Sequence, residues 1–298
     1  MNDGPSPAGR GTQMIDFPIV DSHVHLLDTR RFRYSWAKGA PALQRDFSPA
    51  DLVVAAAPAA IEAFVFVEVD VDDPAYLDEA RWVDGLTAAE PRLQGCVAAL
   101  PLERGAAIEA DMAELAKLKV VRGVRRLIQN QPDPAFVLQP GFIEAVKLLP
   151  RHRLSFDVCI FHHQMPNTLA FMRRCPEVSF ILDHIAKPGI KAGLMEPWRA
   201  HIKEMAALPN VVCKLSGLTT EADHKTWTRE QLRPYIDHVI ECFGFDRVMY
   251  GGDWPVSDLA GRYGDWLSVL DWATQGCTRE ERRKLFRDTA IRAYRLAV

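Results

Sequence analysis

The sequence predicts an α/β protein of the (β/α)8-barrel class, and three observations lead to that class. Short β-rich runs alternate with longer stretches of helical periodicity along the 298 residues. Most of the β-rich runs are apolar on both faces, as buried parallel strands are. Polar, titratable residues follow the carboxyl ends of these runs repeatedly. An open doubly wound sheet is the alternative, but no Gly-x-Gly-x-x-Gly follows an early strand.

The eight predicted strands span residues 17–26, 62–69, 95–100, 120–128, 154–161, 178–182, 211–215 and 247–250. Helical periodicity separates them, and several helical stretches end at a proline or glycine before the next strand. The predicted helices span residues 74–89, 105–118, 142–149, 167–174, 196–208 and 229–243. We interpret residues 27–58 as a loop with one helix that covers the barrel mouth. We expect residues 15–298 to form a single barrel.

The composition is that of an ordinary globular protein, with 48% hydrophobic and 25% charged residues and a net charge of -3. The chain has no long lysine and arginine run and no apolar run of roughly 18 residues, which argues against nucleic acid or a membrane as a partner. Residues 1–14 lack the apolar core of a secretory signal, and we expect a disordered leader with Met14 as an alternative start. Scattered cysteines favour a reducing, cytoplasmic setting. The oligomeric state stays open.

The first strand carries two histidines, His23 and His25, with Asp21 before them. Side chains repeat with period two along a strand, so both imidazoles point to the same face. If that face is the barrel interior, the pair forms a metal-ligand or proton-transfer geometry at the mouth. Two solvated histidines on a surface strand are the alternative.

Barrel closure predicts which groups join this pair. The eighth strand lies beside the first, which places Asp253 next to the histidines, and Glu68 approaches from the second strand. His184 comes from across the mouth. These groups could hold one divalent ion, with zinc favoured, and leave a position open for water.

Four segments in this order resemble the amidohydrolase superfamily and, within it, the branch of sugar-lactone and pyrone-dicarboxylate lactonases. The segments are residues 21–25, 182–188, 214–217 and 250–255, and Tyr34-Ser35-Trp36 also fits that branch. L-Fuconolactonase-like and L-rhamnonolactonase-like enzymes are the closest in pattern. The resemblance implies a distorted (β/α)8 barrel, hydrolysis of a sugar lactone, and an aspartate, here Asp253, that handles the proton of the attacking water.

One departure from the superfamily concerns the fourth strand. Dinuclear members carry a carbamylated lysine there, whereas this chain has Arg125 and Arg126. A two-metal site is therefore not expected. Pyrone-type relatives are understood to work without metal, so the resemblance does not make even one cation essential.

The sequence-based site has three parts. Asp253 is the predicted general base, and His184 is a metal ligand or carbonyl polariser. The predicted metal ligands are His23, His25 and Glu68, although Glu68 could instead pair with a neighbouring arginine. Predicted substrate contacts, several of which could instead be internal ion pairs, are Trp36, Arg126, Asp157, His163 and Lys214.

The predicted activity is hydrolysis of an L-fuconolactone- or L-rhamnonolactone-like sugar lactone to the aldonic acid. A decarboxylase or a pyrone-dicarboxylate lactonase on the same scaffold is the nearest alternative. A non-catalytic metabolite-binding barrel is an alternative of another class. The presence of His23, His25, His184 and Asp253 together favours an enzyme over a binding barrel.

Overall fold

Eight parallel strands form the barrel in the computed structural model, which describes residues 15–298. Each strand is hydrogen-bonded to the next in chain order. The strands are β1 Ile19–Val24, β2 Ile61–Val67, β3 Leu93–Ala99, β4 Val121–Arg125, β5 Ser155–Val158, β6 Phe180–Leu182, β7 Val211–Leu215 and β8 Val248–Tyr250. The predicted fold class is therefore confirmed. The expected leader over residues 1–14 lies outside the described residues.

The barrel closes between β1 and the chain that follows β8. Val24 and Trp254 form a parallel bridge. The His25 amide donates to the Trp254 carbonyl at 2.7 Å, and the Asp253 amide donates to the His23 carbonyl at 2.8 Å. These backbone bonds hold Asp253 beside the histidine pair, as the closure argument predicts.

The strands alternate with helices on the outside of the barrel. The α-helices of the described chain are α1 Pro49–Ala56, α2 Tyr76–Leu86, α3 Glu109–Lys117, α4 Pro140–Leu148, α5 Met165–Met172, α6 Trp198–Ala206, α7 Leu218–Glu221, α8 Arg229–Phe243, α9 Tyr263–Ala273, α10 Arg279–Arg283 and α11 Thr289–Tyr294. A π-helical stretch, Lys284–Asp288, joins α10 to α11. Two short 3-10 helices, Ser35–Gly39 and Pro41–Leu43, precede α1 in the segment predicted to cover the mouth.

The strands are apolar on both faces because both faces are buried. Outward side chains such as Phe156 pack against helix side chains such as Phe171, with ring centroids 6.1 Å apart. A separate inner cluster includes Val20, Val65 and Met249 and receives Tyr294 from α11. The helices of the described chain include none that is both long and apolar enough to span a membrane.

Candidate active site

The two histidines of β1 lie together at the carboxyl end of the barrel. His23 and His25 are buried, and their Nε2 atoms are 3.2 Å apart. His25 Nδ1 lies 2.8 Å from the Val67 carbonyl oxygen. A carbonyl can only accept, so His25 Nδ1 carries a hydrogen, and in the neutral imidazole Nε2 then presents a lone pair.

Asp253 brings one carboxylate oxygen to three imidazoles. Its Oδ1 lies 3.4 Å from His25 Nε2, 3.7 Å from His23 Nε2 and 3.9 Å from His184 Nε2. Burial alone would raise the pKa of Asp253, but His184, His25 and His23 outweigh it and hold that pKa below its ordinary value. The backbone at Asp253 is left-handed, with φ 55°. That unusual conformation is held by the closure bonds to β1 and aims the carboxylate at the histidines.

A run of left-handed residues follows β6 and presents His184 to the same point. His184, Ile185, Ala186 and Lys187 have φ values of 52°, 49°, 61° and 45°. Such a conformation is costly, above all for a β-branched isoleucine. Trp198 Nε1 donates to the Ile185 carbonyl at 2.7 Å and helps to hold the run. The strained backbone therefore lies at the candidate site, where strain commonly accompanies function.

The imidazole of His184 fits closely against the end of β7. Its Nδ1 lies 2.9 Å from Ser216 Oγ. Gly217 has φ +67°, and a Cβ at that position would lie 2.6 Å from His184 Nδ1. Burial lowers the pKa of His184 to about 4, so the ring is neutral near pH 7.

An ion cluster lies inside the barrel beneath the histidines. Lys214 Nζ lies 2.7 Å from Asp157 Oδ2 and 2.9 Å from Asp183 Oδ1, and all three side chains are fully buried. Tyr294 donates to Asp157 Oδ2 at 2.5 Å. Asp157 and Lys214, expected to contact substrate, do not line the pocket because they are bound to each other within the barrel. Their ion pair, which the sequence left open as the alternative, favours a role in the support of His23, and their contact with substrate stays a prediction.

Glu68 lies against Arg125 rather than against the histidines. Its Oε1 accepts from Arg125 Nε at 2.6 Å, and its Oε2 accepts from the Asp70 amide at 2.7 Å. Among the described residues, no candidate metal-binding group includes Glu68. The structure shows the pairing with an arginine that the sequence left open as the alternative for Glu68, and a metal-ligand role for Glu68 stays a prediction.

The pocket above Asp253 has a volume of about 170 Å³. Its lining residues are His25, Trp36, Val69, Asp70, Arg125, Leu127, Gln129, Asn130, Cys159, His184, Lys187, Asp253 and Val256. Trp36 is 36% exposed, and its Nε1 donates to the Val69 carbonyl at 2.7 Å. Trp36 therefore stands in the pocket wall, where the sequence-based site has it.

Two other predicted substrate contacts lie outside this pocket. His163 is exposed and stacks on Phe161, with ring centroids 5.9 Å apart. Arg126 donates to both carboxylate oxygens of Glu103 and faces the neighbouring groove. The register of β4 explains the second displacement, because Arg125 pairs with Asp157 of β5 and points inward. Period-two alternation then turns Arg126 outward.

Several pocket residues were not assigned from the sequence. They are Asp70, Arg125, Gln129, Asn130 and Cys159. Strand parity was a signal for Arg125, since only one of two adjacent arginines can face the interior. The others lie in loops whose path the strand pattern does not define.

The donor atoms fit one divalent cation. Bonds of 2.0–2.1 Å in a tetrahedral zinc site place ligand atoms about 3.3 Å apart, and the Nε2 atoms of His23 and His25 lie 3.2 Å apart. Asp183 Oδ1 is buried, and it lies 2.9 Å from Lys214 Nζ and 3.5 Å from His23 Nδ1. A His23 that binds a cation through Nε2 would carry its proton on Nδ1 and could donate it to this oxygen.

Taken together, the fold and the site define a (β/α)8 barrel with a histidine and aspartate centre at the carboxyl ends of its strands. The chain belongs to the amidohydrolase family, whose model matches residues 20–296. The family resemblance noted from the four sequence segments is thereby confirmed.

Characterised relatives cover nearly the whole chain. An L-fucono-1,5-lactonase of Burkholderia ambifaria is 35% identical over 285 residues, which is 93% of this chain and 95% of that protein. An L-fucono-1,5-lactonase of Burkholderia multivorans is 34% identical and covers 93% of this chain and 96% of its own length. A crystal structure of an amidohydrolase from Burkholderia multivorans with bound zinc is 32% identical, has a TM-score of 0.85 and covers 94% of this chain and 100% of its own.

Proposed function

We propose that this protein hydrolyses a sugar lactone to the corresponding aldonic acid. The observation that carries the proposal is the position of Asp253 Oδ1, 3.4 Å from His25 Nε2 and 3.9 Å from His184 Nε2, in a pocket of about 170 Å³. The similarity to L-fucono-1,5-lactonase along most of the chain supports a six-membered deoxysugar lactone as the substrate class.

The lactone would bind with its carbonyl toward the histidines. Arg125 and Lys187 line the pocket and provide positive charge beside a developing oxyanion. Asp70, Gln129 and Asn130 provide polar atoms for the sugar hydroxyls, and the Trp36 ring provides an apolar wall.

Asp253 would accept the proton of the attacking water as the water oxygen bonds to the lactone carbonyl carbon. The ring C–O bond then breaks, and the released alkoxide takes up a proton to give the hydroxy acid. If the Ser216 hydroxyl donates to His184 Nδ1, His184 Nε2 carries a hydrogen that can be donated to the carbonyl or leaving oxygen. His184 would thus orient the lactone and stabilise its carbonyl or leaving oxygen, while Asp253 moves the proton of the water.

His23, His25 and Asp253 would hold a divalent cation, and we favour zinc because imidazole and carboxylate ligands suit it. When bound, the cation supplies Lewis acidity and lowers the pKa of water.

A panel of substrates tests the proposal against its alternatives. The purified protein, with zinc supplied, is assayed on L-fucono- and L-rhamnono-lactones, on 2-pyrone-4,6-dicarboxylate and on hydroxylated benzoates. A pH indicator reports ring opening, and CO2 release reports decarboxylation. We expect turnover of a sugar lactone. Decarboxylation alone, or binding without turnover of any compound, would contradict the proposal. The cytoplasmic location stays a prediction.

A further inference from the structure

A second, larger cavity lies beside the active pocket. It has a volume of about 530 Å³, compared with about 170 Å³ for the pocket above Asp253. The two cavities share four lining residues, which are Trp36, Asp70, Arg125 and Leu127. The two cavities therefore adjoin at these side chains.

The ionic groups of this second cavity are paired with one another only in part. Arg126 donates to both oxygens of Glu103, and the hydroxyl and amide of Ser35 donate to Asp72. Arg104 lies 3.5 Å from Asp111 outside the cavity. The lining has five carboxylates, Glu68, Asp70, Asp72, Asp73 and Glu103, and three arginines, Arg104, Arg125 and Arg126. It therefore offers many hydrogen-bonding atoms and a net negative charge, which suits an uncharged polyhydroxylated ligand better than an anion.

Two residues at the junction of the cavities are built to contact such a ligand. Asp70 is exposed, has φ +50°, and its carboxylate has no hydrogen bond or ion pair among the described residues. Its amide is held by Glu68 Oε2 at 2.7 Å, which orients the strained residue. Trp36 is fixed by its bond to the Val69 carbonyl and leaves its ring partly exposed. A free carboxylate beside a fixed indole can bind the hydroxyls and the apolar face of a sugar ring.

We propose that the substrate is a lactone that carries a second sugar, an aldobionolactone, with its lactone ring at Asp253 and its second pyranose in the larger cavity. This inference rests on the proposed lactonase function. The chemistry is unchanged: water adds to the carbonyl, the ring C–O bond breaks, and the glycosidic bond stays intact. The larger cavity would contribute binding energy remote from the reacting bond.

Matched lactone pairs test the proposal with the wild-type protein. Each pair shares one lactone ring: glucono-1,5-lactone with cellobiono- and maltobiono-1,5-lactone, and further aldobionolactones with their parent lactones. We expect kcat/KM for at least one disaccharide lactone to exceed that for its parent at least tenfold. Turnover of monosaccharide lactones with no such gain in any pair would overturn the proposal. Absence of turnover on every lactone would instead reject the proposed function itself.

A variant in the larger cavity tests whether the gain in kcat/KM for the disaccharide lactone depends on that cavity. Ala99, at the end of β3, lines that cavity but not the pocket above Asp253. We expect Ala99→Phe to lower kcat/KM for the disaccharide lactone at least tenfold more than for the parent lactone. Ala89→Phe, on an exposed residue, is the control. Equal losses on both lactones would contradict the proposal. If Ala99→Phe does not fold, product inhibition of the wild-type protein tests the proposal instead. The proposal then requires the disaccharide acid to inhibit more strongly than the monosaccharide acid.

Discussion

Lys214 Nζ lies 3.2 Å from His23 Nδ1, and both side chains are fully buried. Burial first, and then the Lys214 charge, lowers the pKa of His23 well below its ordinary value. His23 is therefore kept neutral, as a metal ligand must be. The contact links the ion cluster inside the barrel to the centre at its mouth.

Lys214→Met should destabilise the fold by about 3–5 kcal/mol, because it leaves Asp157 and Asp183 buried without their ammonium partner. Urea unfolding measures the loss. Lys225→Met, at an exposed position, is the matched control and should change stability by less than about 0.5 kcal/mol. Similar unfolding midpoints for the two variants would show that the cluster does not support the barrel.

Gly217→Ala should displace His184 and lower kcat by at least about tenfold, by the usual size of a lost acid or base contribution. The new Cβ would lie 2.6 Å from His184 Nδ1. Gly193 is a close control, since its φ of +65° matches the +67° of Gly217 and a Cβ there meets nothing within 4 Å. Both substitutions carry the same backbone strain. Equal rates in the two variants would mean that the position of His184 is unimportant.

His184 should make the metal-free protein sensitive to acid. Burial lowers its pKa from 6.5 to about 4, so between these values the unfolded chain binds a proton that the folded chain does not. The contribution of neutral His184 to the free energy of unfolding is complete above pH 6.5. It is lost as the pH falls toward 4, and the total loss is about 3 kcal/mol. Between pH 7 and 5, His184→Gln should lose about 2 kcal/mol less stability than the wild type. Parallel urea-derived curves for both proteins would refute this assignment.

One cation per chain is expected for two reasons. The two candidate ligand groups of the described residues, His23-His25-Asp253 and His23-Asp183-His184, share His23, and β4 ends in Arg125 where a bridging lysine would be needed. Metal analysis of protein equilibrated with zinc should give a single tightly held ion. His25→Ala should abolish its retention, whereas His224→Ala, at an exposed histidine, should not. Two tightly held ions that are both required for turnover would contradict a mononuclear site.

The barrel could be predicted from the sequence because the patterns that indicate its strands and helices are local. Buried strands, helix periodicity and polar strand ends repeat along the chain, and closure placed Asp253 beside His23 and His25. The same reasoning left the partner of Glu68 open between a metal ion and an arginine, because strand order shows which residues are near one another but not which of them form pairs. In the structure, Arg125 Nε donates to Glu68 Oε1 at 2.6 Å.

Other parts of the site needed three-dimensional information. Lys214 and Asp157 look like pocket residues from their strand positions, but their depth in the barrel depends on register and stagger. The left-handed run from His184 to Lys187 has no glycine that would mark it in the sequence. Loop residues such as Gln129 and Asn130 reach the pocket through a path that no periodic pattern defines.

The central claim is that Asp253 accepts the proton of the attacking water, and Asp253→Asn tests it most directly. The amide keeps the shape but cannot take the proton. Steady-state kinetics on L-fucono-1,5-lactone are measured for this variant and for Asp237→Asn, a surface control, with circular dichroism to verify folding. We predict that Asp253→Asn lowers kcat by on the order of 100-fold or more, with no recovery on added zinc. A folded Asp253→Asn protein with near wild-type kcat would contradict the account.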